Sequence, residues 1–263
     1  MKFKKSLGQN LLIDKNILRK ITSLTKISKK NVIEIGPGTG NLSFEILKLN
    51  PCKLLCIEKD KIFSSNLEIL SKDIENLFIM NSDILKTDLN NMMPKNTVIF
   101  GNLPYNISSQ ILIKFIKINP WPPNFERLIF MFQKEVGEKI IADYGNKNYS
   151  RLSIITKSRL KIKKYFYVSK NCFLPKPKVD SIVIEFKPYV NGNLNLKSIN
   201  TLEYITNFFF SNKRKMINKA LKKLNINDQN FLKKEKINTN LRPENLTEKN
   251  YYKIAEFYEK IVK

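Results

Sequence analysis

The feature that most constrains this chain is an alternation, through its first half, of short apolar runs with helical patterns, each run closing on a glycine or a polar residue. Val32-Ile33-Glu34-Ile35 has a buried-strand pattern and ends in Gly36. Lys53 to Ile57 ends at Glu58, Leu77 to Met80 ends near Asp83, and Thr97 to Phe100 ends at Asn102. A fifth strand is predicted over Leu128 to Phe132. Helices are predicted over 40–47 and 109–118. An earlier helix over 14–24 has Asp14 as N-cap, with Ile17, Leu18, Ile21 and Leu24 on one apolar face. Parallel neighbours need a crossover, usually a helix, so this alternation implies a Rossmann-like α/β fold with a doubly wound, mainly parallel sheet. Ligands in such folds bind at the carboxyl ends of the strands, where the polar residues fall.

Beyond Pro188 the pattern changes. Asn191-Gly192-Asn193 reads as a linker, and only helical patterns follow, over Leu202 to Phe210, Arg214 to Leu224 and Thr247 to Val262. The last places Tyr251, Ile254, Tyr258 and Ile261 on one face. The predicted organisation is a sheet domain over 1–188 and a small helical domain over 189–263. No apolar run approaches the roughly 18 residues of a membrane span, and no apolar segment follows the basic Met1 to Lys5 stretch as a signal peptide requires. A cytoplasmic protein is expected.

Composition narrows the chemistry. The formal net charge is +24, and basic residues occur in both predicted domains. That suits a polyanion, RNA or DNA rather than an acidic membrane, although a general bias toward Lys, Asn and Ile produces the same excess. The chain has three cysteines (Cys52, Cys56 and Cys172) and no histidine. This argues against a structural zinc site and excludes Ser-His and Cys-His nucleophilic mechanisms. Cys52 and Cys56 bracket a strand and are expected to be buried free thiols in a reducing compartment.

Between the first strand and its helix lies Gly36-Pro37-Gly38-Thr39-Gly40, where glycines allow a tight turn and close approach of a ligand. The spacing is GxGxG rather than the GxGxxG of pyrophosphate binding. An ordinary strand-to-helix turn is the alternative reading. Glu58, at the end of the next strand, can accept both ribose hydroxyls. Asp83 can accept an adenine amine, or else cap a turn. Together they describe a site for an adenosine without a diphosphate, and the acidic lining suits the cationic S-adenosylmethionine better than NAD.

The fourth strand runs into Asn102-Leu103-Pro104-Tyr105. An exocyclic adenine amine is a poor nucleophile because its lone pair is delocalised. Two acceptors aimed at its N–H protons favour a pyramidal nitrogen. The Asn102 side-chain oxygen and the Leu103 carbonyl, held by the rigid Pro104, can supply them, and Tyr105 can stack on a base taken out of its helix. A simple Asn-Pro turn is the alternative. What favours the site is the shared register of tetrad, glycines, Glu58 and Asp83.

These segments resemble a known family. Gly8-Gln9-Asn10-Leu11-Leu12, the glycine turn, Asn102 to Ser108, Gln133 to Val136, Asn148 to Ser153, Phe173-Leu174-Pro175-Lys176-Pro177-Lys178-Val179-Asp180-Ser181 and Arg242 to Leu246 are similar, in order and spacing, to the KsgA-type ribosomal RNA adenine N6,N6-dimethyltransferases. The resemblance implies a class I methyltransferase fold and S-adenosylmethionine as cofactor. It places cofactor contacts on Asn10, Leu12, Gly36, Glu58, Asp83 and Asn102, with Gly38 in the same turn. Its target-base pocket falls on Asn102, Leu103, Tyr105 and Phe173. The alternative for Phe173 is a hydrophobic plug. The implied substrate is a pair of adjacent adenosines, each dimethylated, in a hairpin loop near the 3′ end of small-subunit rRNA within an assembling small subunit. A monomer without a metal site is expected.

Leu7 and Leu11 stand where the family favours aromatic residues, and Lys213 where it favours arginine, so a bidentate contact is lost there. Lys213, Arg214, Lys215, Lys219, Lys222 and Lys223 suit phosphate contacts, or merely a solvated face. Three other functions compete: a large-subunit rRNA methyltransferase, an assembly factor with vestigial chemistry, and an NAD-dependent dehydrogenase. Leu103 and Arg242-Pro243-Glu244 disfavour the first, the intact acceptor set the second, and the glycine spacing the third.

Overall fold

The computed structural model describes residues 10–90, 92–190 and 198–262, so Leu7, Gly8, Gln9 and the linker at 191–193 lie outside the described residues. The elements in chain order are β1 (Leu11–Leu12), α1 (Lys15–Thr22), β2 (Asn31–Ile35), α2 (Asn41–Leu47), β3 (Lys53–Glu58), α3 (Lys61–Ser71), β4 (Leu77–Asn81), β5 (Thr97–Asn102), α4 (Ser108–Ile116), β6 (Phe125–Gln133), α5 (Lys134–Ile141), α6 (Arg151–Arg159), β7 (Leu160–Val168), β8 (Phe173–Leu174), β9 (Ser181–Pro188), α7 (Ile199–Phe210), α8 (Asn218–Lys223), α9 (Gln229–Lys234) and α10 (Glu248–Ile261). No helix among the described residues is long and apolar enough to cross a membrane.

The main sheet has seven strands in the order β4-β3-β2-β5-β6-β9-β7. Strands β4, β3, β2, β5 and β6 run parallel to one another, and β9 pairs antiparallel with β6. The chain leaves β2 for β3 on one side and later returns to β5 on the other. That reversal of direction opens a crevice at the strands' carboxyl ends. The five parallel strands are the five that periodicity predicts. Strands β7 and β9, and a small antiparallel sheet of β1 with β8, go beyond that reading.

Local signals hold at the first helix. Asp14 Oδ1 accepts the N–H groups of Asn16 and Ile17 at 2.9 and 3.1 Å, and Leu18 and Ile21 are buried. Cys52 departs from expectation. It precedes β3 at its open end and is exposed, whereas Cys56, inside the strand, is buried.

Glu34 sits in the middle of β2 and is only 1% exposed. Its Oε2 accepts the Ser43 hydroxyl at 2.5 Å, with the Cys56 thiol 3.8 Å from the same oxygen. Burial pushes its carboxyl from 4.5 up to about 7, against the pull of those two donors. A carboxyl raised on folding contributes stability at low pH, and the contribution is lost as pH climbs through the folded value. Glu34→Gln is therefore expected to gain roughly 2–3 kcal/mol on the parent between about pH 5 and about pH 8. Denaturant unfolding of both proteins across that range checks this. A difference independent of pH would refute it.

The chain forms two compact units, 1–137 with 162–188, and 138–161 with 189–263. The second is helical but discontinuous, unlike the single boundary at 188 drawn from the sequence. The cause is packing of α6. Ile154 and Ile155 are buried, the Ile154 carbonyl accepts the Tyr252 hydroxyl at 3.3 Å, and Arg151 pairs with Glu203 at 2.9 Å.

Within this unit α8 begins at Asn218, four residues later than the predicted start at Arg214. The N–H groups of Ile217 and Asn218 donate to the Leu241 and Thr239 carbonyls, so a neighbouring loop takes backbone donors that a longer helix would use. Helix α10 is capped by Thr247 and buries Tyr251 and Ile254, but Ile261 of the predicted stripe is 41% exposed.

Candidate active site

The turn after β2 needs glycine for conformational reasons. Gly36, Gly38 and Gly40 have φ of +66°, +58° and +85°. At Gly38 space is restrictive as well, since a Cβ would lie 2.7 Å from Leu11 Cδ2. The Gly38 N–H donates to Glu58 Oε2 at 3.1 Å, tying the turn to the end of β3. Gly38→Ala is expected to lose about 1–2 kcal/mol of stability from its backbone conformation. Leu11 must also move, and S-adenosylmethionine binding should weaken. Thermal unfolding and calorimetric titration of the variant check this. Parent-like values in both would contradict it.

Glu58 is 8% exposed, and its other oxygen accepts the Asp60 N–H at 2.8 Å. Burial raises its carboxyl above the ordinary range, and those two backbone donors only partly oppose the shift. An anion here therefore gains from further donors, and a pair of ribose hydroxyls would provide them. Asp83 follows β4 and lines one cavity with Glu58, but it is not a lone acceptor. Its Oδ2 is 2.9 Å from Lys59 Nζ, and its Oδ1 accepts the Leu85 N–H at 3.0 Å. The hydrogen bond from Lys59 holds its carboxyl below the usual value. Asp83 thus caps a turn and faces the cavity at once, each oxygen keeping a lone pair for a ligand.

Asn102 ends β5 between β2 and β6. Its amide nitrogen donates to the Asn10 carbonyl at 2.9 Å, which leaves Oδ1 as the acceptor end of the side chain. Leu103 next to it is 1% exposed, and a Cβ on Gly101 would come within 2.5 Å of its Cδ2. Gly101 therefore makes room for the buried side chain that anchors the Leu103 backbone. The Pro104 and Tyr105 carbonyls are taken up inside the turn by the Ile107 N–H and the Ser108 hydroxyl. The Tyr105 hydroxyl is 2.6 Å from Ser181 Oγ, so the ring is held from its far end. Burial also raises the Tyr105 phenol above its ordinary range, keeping it neutral.

One cavity at the carboxyl ends of the parallel strands brings together Asn10, Gly36, Gly38, Glu58, Asp83 and the whole Asn102-Leu103-Pro104-Tyr105 tetrad. Two predicted residues stand apart from it. Leu12 is buried in the core and its carbonyl accepts the Asn41 amide at 2.8 Å; it lines a second small cleft that shares Leu11, Gly36 and Asn102 with the first. Phe173 is 3% exposed and belongs to the same core cluster. Antiparallel pairing of β8 with β1 sets Phe173 opposite Leu12 and turns its ring into the apolar interior, as a plug. Sequence reading missed Lys59, Phe63 and Ile84, which complete the cavity wall. The signal available for them was position, since each lies within a few residues of Glu58 or Asp83 and just past a strand end.

Buried acceptors for a ribose, a carboxylate for an amine, apolar walls for a ring and neutral acceptors at the far end fit S-adenosylmethionine and an amine substrate. Comparison with known proteins agrees. Residues 1–260 match the family described as ribosomal RNA adenine dimethylase. The chain is 44% identical over 270 residues to the ribosomal RNA small subunit methyltransferase A of Pelagibacter ubique (strain HTCC1062), covering 98% of each. Its fold matches the crystal structure of a dimethyladenosine transferase from Plasmodium falciparum with a TM-score of 0.77 at 30% identity, over 95% of this chain and 98% of that one. The 23S rRNA methyltransferase ErmE shares the fold, with a TM-score of 0.72 at 20% identity, over 95% of this chain and all of that one. With that profile match running almost end to end, this chain belongs to the ribosomal RNA adenine dimethylase family.

Proposed function

We propose that this chain dimethylates the N6 amines of two adjacent adenosines in the 3′-terminal hairpin loop of small-subunit rRNA, using S-adenosylmethionine. Family membership supports the reaction class, and likeness to small subunit methyltransferases A supports the choice of subunit. The observation that carries the residue assignment is the Asn102–Asn10 hydrogen bond, which leaves an amide oxygen as acceptor beside the cavity holding Glu58 and Asp83.

When bound, S-adenosylmethionine supplies an electrophilic methyl group. The chain's own residues do the rest. Glu58 would accept the ribose hydroxyls and Asp83 the adenine amine, with Phe63 and Ile84 offering apolar wall to the base. In the first transfer Asn102 Oδ1 and the Leu103 carbonyl would accept the two N–H groups of the target amine, and in the second the one that remains, which would direct the lone pair outward, with the proton released by each transfer passing to solvent. Restriction of the residue before proline keeps the Leu103 carbonyl in place. Tyr105 offers its ring to the extruded base, with its hydroxyl fixed by Ser181. The chain has no histidine, so no imidazole base takes part.

On this proposal the chain works as a monomer in the cytoplasm, on a small subunit still in assembly. The helical unit contributes phosphate contacts through the exposed Lys213, Arg214, Lys215, Lys219, Lys222 and Lys223. The test is transfer of labelled methyl groups to undermethylated small subunits, followed by mapping of the modified bases. Label in two neighbouring adenosines near the 3′ end is expected. Label on large subunits instead, or none, would refute the assignment.

A further inference from the structure

We propose that the outward face of β7 is a stacking platform for unpaired rRNA nucleotides that flank the target adenosines. The inference rests on the RNA-substrate reading above and adds a binding surface to it. Strand β7 is the last of the seven, with β9 on one side only. Its period of two sets Lys163, Tyr165 and Tyr167 on a single face, while Phe166 is half-buried and Val168 buried on the other. Tyr165 is 51% exposed and Tyr167 49%. Their rings meet edge to face, with centroids 6.4 Å apart at 84°. Two large aromatic rings with half their surface in water add little to a core. Tyrosine faces between lysines are, however, the composition that binds single-stranded nucleic acid.

Charge selects the occupant. The strand, Leu160-Lys161-Ile162-Lys163-Lys164-Tyr165-Phe166-Tyr167-Val168, carries no acidic residue, and Lys134 Nζ lies 5.5 Å from the centre of the Tyr167 ring. Lysines along an edge strand oppose pairing with another strand. A second copy of a chain with net charge +24 is repelled as well, whereas a polyanion is attracted. The bases would stack on the tyrosines and their phosphates would meet Lys163 and Lys134.

The platform is also framed to the catalytic tetrad. The Lys134 N–H donates to the Asp180 carbonyl at 2.9 Å, and the next residue, Ser181, holds the Tyr105 hydroxyl at 2.6 Å. Residues 180–181 thus fix both the base-facing ring of the tetrad and the lysine packed on Tyr167. A nucleotide held on β7 has a set position relative to one held on Tyr105.

Binding of a short fluorescein-labelled oligoadenylate to the full chain tests this directly, by polarisation over a range of salt. The double variant Tyr165→Ala/Tyr167→Ala is expected to bind at least about thirtyfold more weakly with an unchanged salt slope. Tyr165→Phe/Tyr167→Phe, which keeps the rings, should bind like the parent. Lys134→Gln/Lys163→Gln should flatten the salt slope by about 1.4, the share of two phosphate contacts on a single strand. Unchanged affinity in the alanine pair overturns the inference, as does an equal loss in the phenylalanine pair. A parent chain that binds the probe with this pattern yet methylates no small subunit would refute the functional assignment and leave the platform standing.

Discussion

Asn102→Ala is expected to lower the single-turnover rate of methyl transfer by about 10²–10³, the usual cost of removing one preorganised hydrogen-bond partner from a reacting centre. The reason lies in what the amide does at each end. Its nitrogen is committed to the Asn10 carbonyl, so the oxygen cannot exchange places with it without breaking a 2.9 Å bond. That oxygen is a neutral acceptor at the edge of the cavity, while the tetrad's other side-chain oxygen, on Tyr105, is engaged with Ser181. Positive charge grows on the amine nitrogen as the methyl group arrives, so an acceptor already fixed against its N–H group gains strength in the transition state. Single-turnover transfer to undermethylated subunits, with enzyme in excess, isolates this step from product release. S-adenosylmethionine affinity measured on the same variant separates chemistry from binding. If the rate is unchanged while the cofactor dissociates more easily, Asn102 is a cofactor contact and not an acceptor for the target amine.

The second large effect is expected at Glu58. Its carboxylate would receive two ribose hydroxyls, and each hydrogen bond to a charged group contributes about 1.5–3 kcal/mol. Glu58→Ala should therefore weaken S-adenosylmethionine binding by at least about a hundredfold, as calorimetry would show. The substitution also strips the Gly38 and Asp60 N–H groups of their shared acceptor, so the melting temperature should fall. Glu58→Gln keeps one acceptor and the shape, and separates the two effects. Titration gives an independent check. Burial raises the Glu58 carboxyl above its ordinary range, so the ionised form that the hydroxyls prefer is lost sooner on acidification than for a solvated glutamate. Cofactor affinity should weaken as pH falls, and the glutamine variant should lose that dependence. An affinity indifferent to pH in the parent would argue that Glu58 does not touch the ribose.

Much of this site was legible because its signals are local. Gly36, Gly38, Glu58, Asp83 and Asn102 each follow an apolar run at a strand end, and a parallel sheet collects such ends at one edge whatever the details of packing. The Asp14 cap and strands β2 to β6 were readable for the same reason, since their patterns lie within a few residues.

Other features depended on partners far away in the chain, and only the folded protein decided them. The Asn10–Asn102 bond joins residues 92 apart. Strand β9 enters the sheet antiparallel between β6 and β7, and no local pattern specifies that position. Phe173 could face the target base or fill the core, and its pairing opposite Leu12 placed it in the core. The start of α8 was decided by carbonyls of residues 239 and 241, and the limits of the helical unit by the packing of α6. Local sequence sets which residues can cap, turn or line a strand. Which of two chemically acceptable environments a buried ring or a backbone donor finally occupies depends on long-range contacts, and those form only when the whole chain has folded.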